Sequence, residues 1–477
     1  MHELAFLDAT AQADLVRRKE VSVTELIEFA IERIEKLNPA LNAVVTKLYD
    51  EARDATRYVN PNAPLAGVPF VLKDLVAECA GTPMSEGSEF LGDYVSDHDS
   101  ELVQRYRQAG LIVVGKSNTP EFGLMPTTEP VRFGATRNPW DTHLTAGGSS
   151  GGSGAAVASG MVAIGHANDG GGSIRVPASC CGTVGLKPTR GRNPLGPYYG
   201  DVAGGLLCEH VHTRSVRDTA TVLDATAGPS VGEPYWPAAP DRSYSDEVAS
   251  SPSRLRIALG TRPLTGAPAH ADCVAGAEAI AKLCEGLGHV VLEGSPDVDA
   301  GQLFKAFGIR WIGFLTWAVK YWSRRIGREP SEDLLEPATW RMYLNGLKQS
   351  SGDYLLAVQD LQRISRDVSG FFECHDAWLT PTLTQPPVPI GYFDYAPERR
   401  TLHLERLGEY TAFTLIANVT GQPSISLPLH WTDAGLPIGV QLTGRYGDEA
   451  TLLRLAGQLE RAQPWSDRRP PDLAPAT

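Results

Sequence analysis

The chain has 477 residues, 42% hydrophobic and 21% charged, which is a globular composition with ample apolar material for a core. At roughly 150 residues per domain the length allows about three domains, or one large α/β unit with an insertion. The net charge of −13 disfavours non-specific binding to nucleic acid or to an anionic membrane.

The N-terminus, Met1-His2-Glu3-Leu4-Ala5, lacks a basic stretch followed by an apolar one, so no secretory leader is expected. No run approaches the roughly 18 apolar residues that cross a bilayer. A cytoplasmic protein is the expectation, and a homodimer is compatible with it. Ser22 and Glu25 form a capping-box pattern. Leu26, Ile27, Ala30, Ile31, Ile34 and Leu37 follow at helical spacing, and Asn38-Pro39 is expected to stop the helix.

Short apolar runs bounded by Gly and Pro read as buried strands: Val68 to Leu72, Leu111 to Val114, Met161 to Ile164, Leu255 to Leu259 and Ile438 to Leu442. Helical stretches lie between them, such as Glu101 to Gln108 and Ala271 to Leu287. The alternation predicts an α/β fold: a single large core of mixed β-sheet flanked by helices on both faces, with a helical insertion over 290–380. Residues 227–254, rich in Pro, Ser, Ala and Asp, read as a linker or surface loop. Within the insertion Phe304, Phe307, Trp311, Phe314 and Tyr321 fall near one helical stripe, with Trp317 and Trp322 beside it. Such a stripe packs into a core or walls an apolar substrate cleft.

Seven scattered cysteines with no CxxC pair are not a disulfide framework, and adjacent Cys180 and Cys181 read as small buried hydrophobes. The segment Gly110 to Ser117 matches the phosphate-loop pattern G-x-x-x-x-G-K-S. Its four middle residues are Leu, Ile, Val and Val, which favour an extended buried strand whose amides go to the sheet. Asn118-Thr119-Pro120 also stands where a helix would have to begin. A nucleotide site is not expected there.

The dense region is 145–190. It begins Gly147-Gly148-Ser149-Ser150-Gly151-Gly152-Ser153 and continues to Asp169-Gly170-Gly171-Gly172-Ser173-Ile174-Arg175. Consecutive glycines before a serine let successive N–H groups turn toward one point, where they hold the oxyanion formed when the Ser attacks a carbonyl. A flexible Gly/Ser linker does not fit, because a strand and a Val-Pro-Ala-Ser-Cys-Cys-Gly run bracket the segment. A nucleophilic serine needs a base. No G-x-S-x-G elbow is present. Lys73 ends an apolar strand and is a candidate, since burial lowers an amine from about 10.4 toward neutrality. His166 reads as a structural histidine under the loop. His210 and His212, with Glu209 adjacent, lack a third spaced ligand and make a weak metal site.

Four blocks resemble the amidase signature family of serine hydrolases. They are Gly67 to Asp74; Gly147 to Ser153; Asp169 to Ala178 running on through Cys181-Gly182 to Thr189; and Asn418 to Pro423 with Gly435-Leu436-Pro437 and Gly439 to Leu442. The resemblance spans nearly the whole chain, 1–477, and is weakest over 225–375. It implies Ser173 as nucleophile, Ser149 in a cis peptide as proton relay and Lys73 as base. It implies an oxyanion hole from the N–H groups of Gly170, Gly171, Gly172 and Ser173, with Asp169 and Arg175 fixing the loop. No metal and no cofactor are required. The Ala-Ser-Cys-Cys-Gly run looks most like general amidases and 6-aminohexanoate cyclic-dimer hydrolases. The expected partner is therefore a small-molecule amide, uncharged or lactam-like, with esters, anilides and carbamates open to the same chemistry. Tyr198, Tyr199, Trp311, Phe314 and Trp317 are the cleft candidates. Two rivals share the blocks: the A subunit of a glutamyl-tRNA(Gln)/aspartyl-tRNA(Asn) amidotransferase, and a non-catalytic binding protein on the same scaffold. Residues 191–199 and 208–212 depart from the look of that subunit.

Overall fold

The computed structural model describes residues 3–396, 398 and 400–471. In chain order its strands are β1 (Val44–Lys47), β2 (Pro69–Lys73), β3 (Ile112–Ser117), β4 (Ile164–Asp169), β5 (Val184–Lys187) and β6 (Cys208–Thr213). They continue with β7 (Arg256–Leu259), β8 (Val290–Glu293), β9 (Ala377–Pro381), β10 (Ser424–Trp431) and β11 (Pro437–Gly444). Among the described residues these eleven form one sheet, ordered β1-β3-β2-β4-β6-β5-β10-β11-β9-β7-β8. The sheet is mixed. β2 runs parallel to β3 and β4, and β7 runs parallel to β8 and β9, while the remaining neighbours are antiparallel.

The pleat explains how both faces are covered. In β2, Val71 packs with the helices Val23–Leu41 and Gly151–Ala158, whereas Phe70 and Leu72 pack with the helices Glu101–Gln108 and Val216–Thr226. All five residues of β2 are buried, as expected for a strand with helices on each side. The parallel trio β3-β2-β4 brings three carboxyl-terminal strand ends side by side. In open α/β sheets that is where ligands bind.

Several local expectations need correction. The helix from Val23 runs on to Leu41 through Pro39, capped by Ser22 and Glu25 as expected and closed by Asn42 in the left-handed region. Pro39 sits in the last turn, where the missing N–H costs a single terminal bond, and Asn38 accepts from the Ala43 and Val44 N–H groups. The strand expected at Met161 to Ile164 begins only at Ile164 and runs through Gly165, His166, Ala167, Asn168 and Asp169. Residues 227–254 are not all loop, since Tyr244–Ala249 is a helix whose Tyr244 is buried beside the Arg192 guanidinium. The stretch 290–380 holds the helices Ala300–Ile326, Pro337–Gly346 and Ser351–Cys374, but β8 and β9 at its ends belong to the sheet. Within Gly110 to Ser117, residues Ile112–Ser117 form β3, with Lys116 paired to Asp74 at 3.2 Å in the interior.

Candidate active site

Lys73 closes β2 and is fully buried. Its Nζ donates to Ser149 Oγ at 2.6 Å, to Ser150 Oγ at 3.0 Å and to Asn168 Oδ1 at 2.6 Å. Burial pushes the ammonium down to about 7, against the pull of the Glu209, Asp169 and Glu86 carboxylates. The amine thus sits where it can give up or take a proton near neutrality.

Ser149 follows a cis peptide bond from Gly148. Glycine is required at 148 because a Cβ there would collide with the Thr127 backbone. The next residues open the helix Gly151–Ala158, and Ser150 N–H donates to the Ser173 carbonyl at 3.3 Å. That bond ties the two serine loops together.

Ser173 stands between the end of β4 and the helix Arg175–Cys181 and is partly accessible. The Asp169 carboxylate organises this turn. Its Oδ1 accepts from Gly172 N–H at 2.6 Å and its Oδ2 from Ile174 N–H at 3.1 Å. Arg175 grips both oxygens at 2.9 and 3.1 Å, and Asn418 adds a donor at 2.8 Å. Burial alone would raise this carboxyl; Arg175, Asn418 and Lys187 overcome that and hold it at about 2. Arg175 is itself fixed by the Thr414 carbonyl, Gln441 and Asn418.

Gly172 therefore differs from the expectation. Its N–H is committed to Asp169, so it does not point to a reacting oxygen. Its φ of +136° and the Thr414 hydroxyl 2.5 Å from a would-be Cβ explain why glycine stands there. The Gly171 and Ser173 N–H groups have no acceptor among the described residues.

The aromatic candidates separate. Trp311 lies over Gly170, its ring atoms 3.0 and 3.2 Å from where a Cβ would be, and Phe307 stands 3.4 Å from the same point on Gly171. The two rings stack at 5.4 Å. Phe307, which sequence periodicity placed only in the stripe, is thus at the site. Phe314, Trp317 and Tyr199 line a small internal cavity with Leu75, Val76 and Glu86, with room for about one water. Phe314 also belongs to the core between the long helices. Tyr198 is 58% exposed and faces an outer groove of about 780 Å³ with Trp317, Tyr321 and Arg325. That groove touches none of Lys73, Ser149 and Ser173, so it is not where the chemistry is assembled.

His166 and His212 are engaged by other residues. His166 Nε2 bonds Glu209 Oε2, and His212 Nδ1 meets Thr183 Oγ1 at 3.0 Å. Burial lowers both His210 and His212 to about 3. Among the described residues the cluster with metal-ligand spacing is Glu78, Asp97 and His98, and Arg325 already pairs with both carboxylates there.

Comparison with known proteins gives the family. A profile of the Amidase family matches residues 25–453. The 6-aminohexanoate-cyclic-dimer hydrolase of Paenarthrobacter ureafaciens is 38% identical, over 98% of this chain and 97% of that protein. The solved structure of 6-aminohexanoate cyclic dimer hydrolase complexed with substrate superposes with a TM-score of 0.94 at 38% identity, covering 98% of this chain and 99% of that one. A bacterial aryl acylamidase structure of the amidase signature family superposes with a TM-score of 0.88 at 27% identity, covering 97% of each chain. The chain belongs to the amidase signature family and is a hydrolase of carbon–nitrogen bonds other than peptide bonds.

Proposed function

We propose that the protein hydrolyses small, uncharged or lactam-like carboxylic amides through an acyl-enzyme on Ser173, with Ser149 as proton relay and Lys73 as base. The observation that carries this reading is the buried 2.6 Å bond between Lys73 Nζ and Ser149 Oγ, beside a loop with free N–H groups at Gly171 and Ser173.

The steps follow from that arrangement. Ser173 Oγ attacks the carbonyl carbon while its proton passes to Ser149 Oγ, and the Ser149 proton passes to neutral Lys73 Nζ. The oxygen of the tetrahedral intermediate takes hydrogen bonds from Gly171 and Ser173, with Gly170 alongside. The C–N bond breaks as the proton returns through Ser149 to the leaving nitrogen. Water then attacks the ester carbon through the same relay, releasing the acid and restoring the Ser173 hydroxyl. An amine held at about 7 is both an adequate base and an adequate acid near neutral pH.

Phe307 and Trp311 cover the Gly170–Gly171 turn with apolar surface, which suits an acyl chain without charge. The relatives named for the cyclic dimer of 6-aminohexanoate make a lactam-type substrate the first to try. The test is labelling by a fluorophosphonate followed by peptide mass mapping, with Ser173→Ala as control. The adduct is expected on Ser173 alone, and an adduct on Ser149 or Cys181 would refute the assignment. A kcat/KM panel of short amides, anilides, lactams and carbamates, run on the chain without tRNA or partner, then ranks substrates and separates this reading from an amidotransferase subunit.

A further inference from the structure

Lys73 is faced from several elements. Glu209 and His212 lie on β6, His166, Asn168 and Asp169 on β4, and Glu86 on the segment that follows β2. Asn168 is the joint of this arrangement. Its Nδ2 donates to Glu209 Oε1 at 3.3 Å and to the Leu75 carbonyl at 3.3 Å. An amide whose N–H₂ is committed to two oxygens has only its own oxygen left, and that oxygen receives Lys73 Nζ at 2.6 Å. Asn168 and Glu209 are direct partners across the β4–β6 ladder, so the sheet register places the two side chains together. Behind them His166 Nε2 bonds the other Glu209 oxygen. Carboxylate, amide and amine thus form one buried chain ending on the Ser149 hydroxyl.

We propose that Asn168 and Glu209 are positioning residues for the hydrolytic reaction: Glu209 fixes the Asn168 amide so that its oxygen holds Lys73 against Ser149. This deepens the assignment of Lys73 as base and rests on it. The charge has a second consequence. Glu209 is the largest of the charges that oppose burial of the Lys73 ammonium, ahead of Asp169 and Glu86. Removing it while keeping the shape lets Lys73 lose its proton at lower pH. A residue that merely filled space would leave that pH unchanged.

The experiment measures the second-order rate of fluorophosphonate labelling of full-length protein against pH. Glu209→Gln is expected to move the midpoint of the rise to lower pH by on the order of one unit. Glu209→Asp, which keeps the charge, should return it toward the parent value. Asn168→Ala removes an acceptor of the ammonium form and should also lower the midpoint, with a slower plateau. If Glu209→Gln fails to fold, Asn168→Ala decides alone. Folded variants with an unmoved midpoint would overturn the proposal. Lys73→Ala separates the two levels. Labelling that persists in it defeats the base assignment itself, whereas labelling lost in it beside unmoved midpoints defeats the positioning role alone.

Discussion

Lys73→Met should abolish turnover and yet stabilise the fold, by an amount that depends on pH in a defined way. Methionine nearly fills the volume of the lysine stem and carries no charge to bury. The free lysine titrates at 10.5 and burial brings it to about 7, so the folded state carries a penalty of roughly 5 kcal/mol wherever the amine is protonated in both states. The sign follows from proton counting. Between about 7 and 10.5 the unfolded chain holds the proton and the folded chain does not, so stability of the parent rises with pH through that window. Below about 7 both states are protonated and the penalty is full and constant. From about pH 6 to about pH 9 the parent should therefore gain about 2.5 kcal/mol relative to Lys73→Met. The groups left without a donor in the variant, on Ser149, Ser150 and Asn168, add a cost that does not vary with pH and cancels from the slope. Urea midpoints of both proteins across that range give the difference directly. Parallel profiles would refute the reasoning, because a lysine that stays charged throughout could not be the base.

Other outcomes follow from single contacts. Gly148→Ala should cost activity and several kcal/mol of stability in urea unfolding, since its Cβ meets the Thr127 backbone rather than a side chain that can turn aside. Trp311→Ala should change the ranking of amide substrates at nearly unchanged thermal midpoint, because that ring covers Gly170 and is only partly buried. Phe314→Ala should do the reverse, losing about 3–5 kcal/mol in chemical unfolding, because that ring is 8% exposed and packed in the core between the long helices. Arg175→Met should destabilise by about 3–5 kcal/mol, since it leaves the Asp169 carboxylate buried without its cation.

The fold was legible where burial is apolar and one element is uniform. β2, β7 and β11 lie within a residue or two of the runs that announced them, and Ser22 caps its helix as its spacing with Glu25 required. The misreadings have separate causes. A proline read as a stop was absorbed in a last turn closed locally by Asn38 and Asn42, whereas a Pro-rich stretch hid a helix whose Tyr244 packs beside Arg192, a partner distant in the chain. The aromatic stripe was read as one face. In the folded chain Phe307 and Trp311 reach the glycine turn, Phe314 turns to the core, and Trp317 reaches the outer groove, since a helix of 27 residues passes several environments.

The site shows why its supporting residues could not be read from pattern. β4 sits among buried strands, yet it reads Ile-Gly-His-Ala-Asn-Asp, and the apolar run Met161 to Ile164 reaches only its first residue. A polar strand is tolerated in such a place only if its side chains are paired. Asn168 pairs with Lys73, Glu209 and Leu75, and Asp169 pairs with Arg175, Asn418 and its own loop. Every one of those side-chain partners but Arg175 lies at least 40 residues away in the chain, so no local spacing could reveal them. The same pairing removes Gly172 from the set of free N–H groups: the carboxylate that makes the turn possible consumes one donor in doing so. Glycine density can therefore announce an anion-holding turn, but which of its N–H groups remain free is decided by the buried acid beside it.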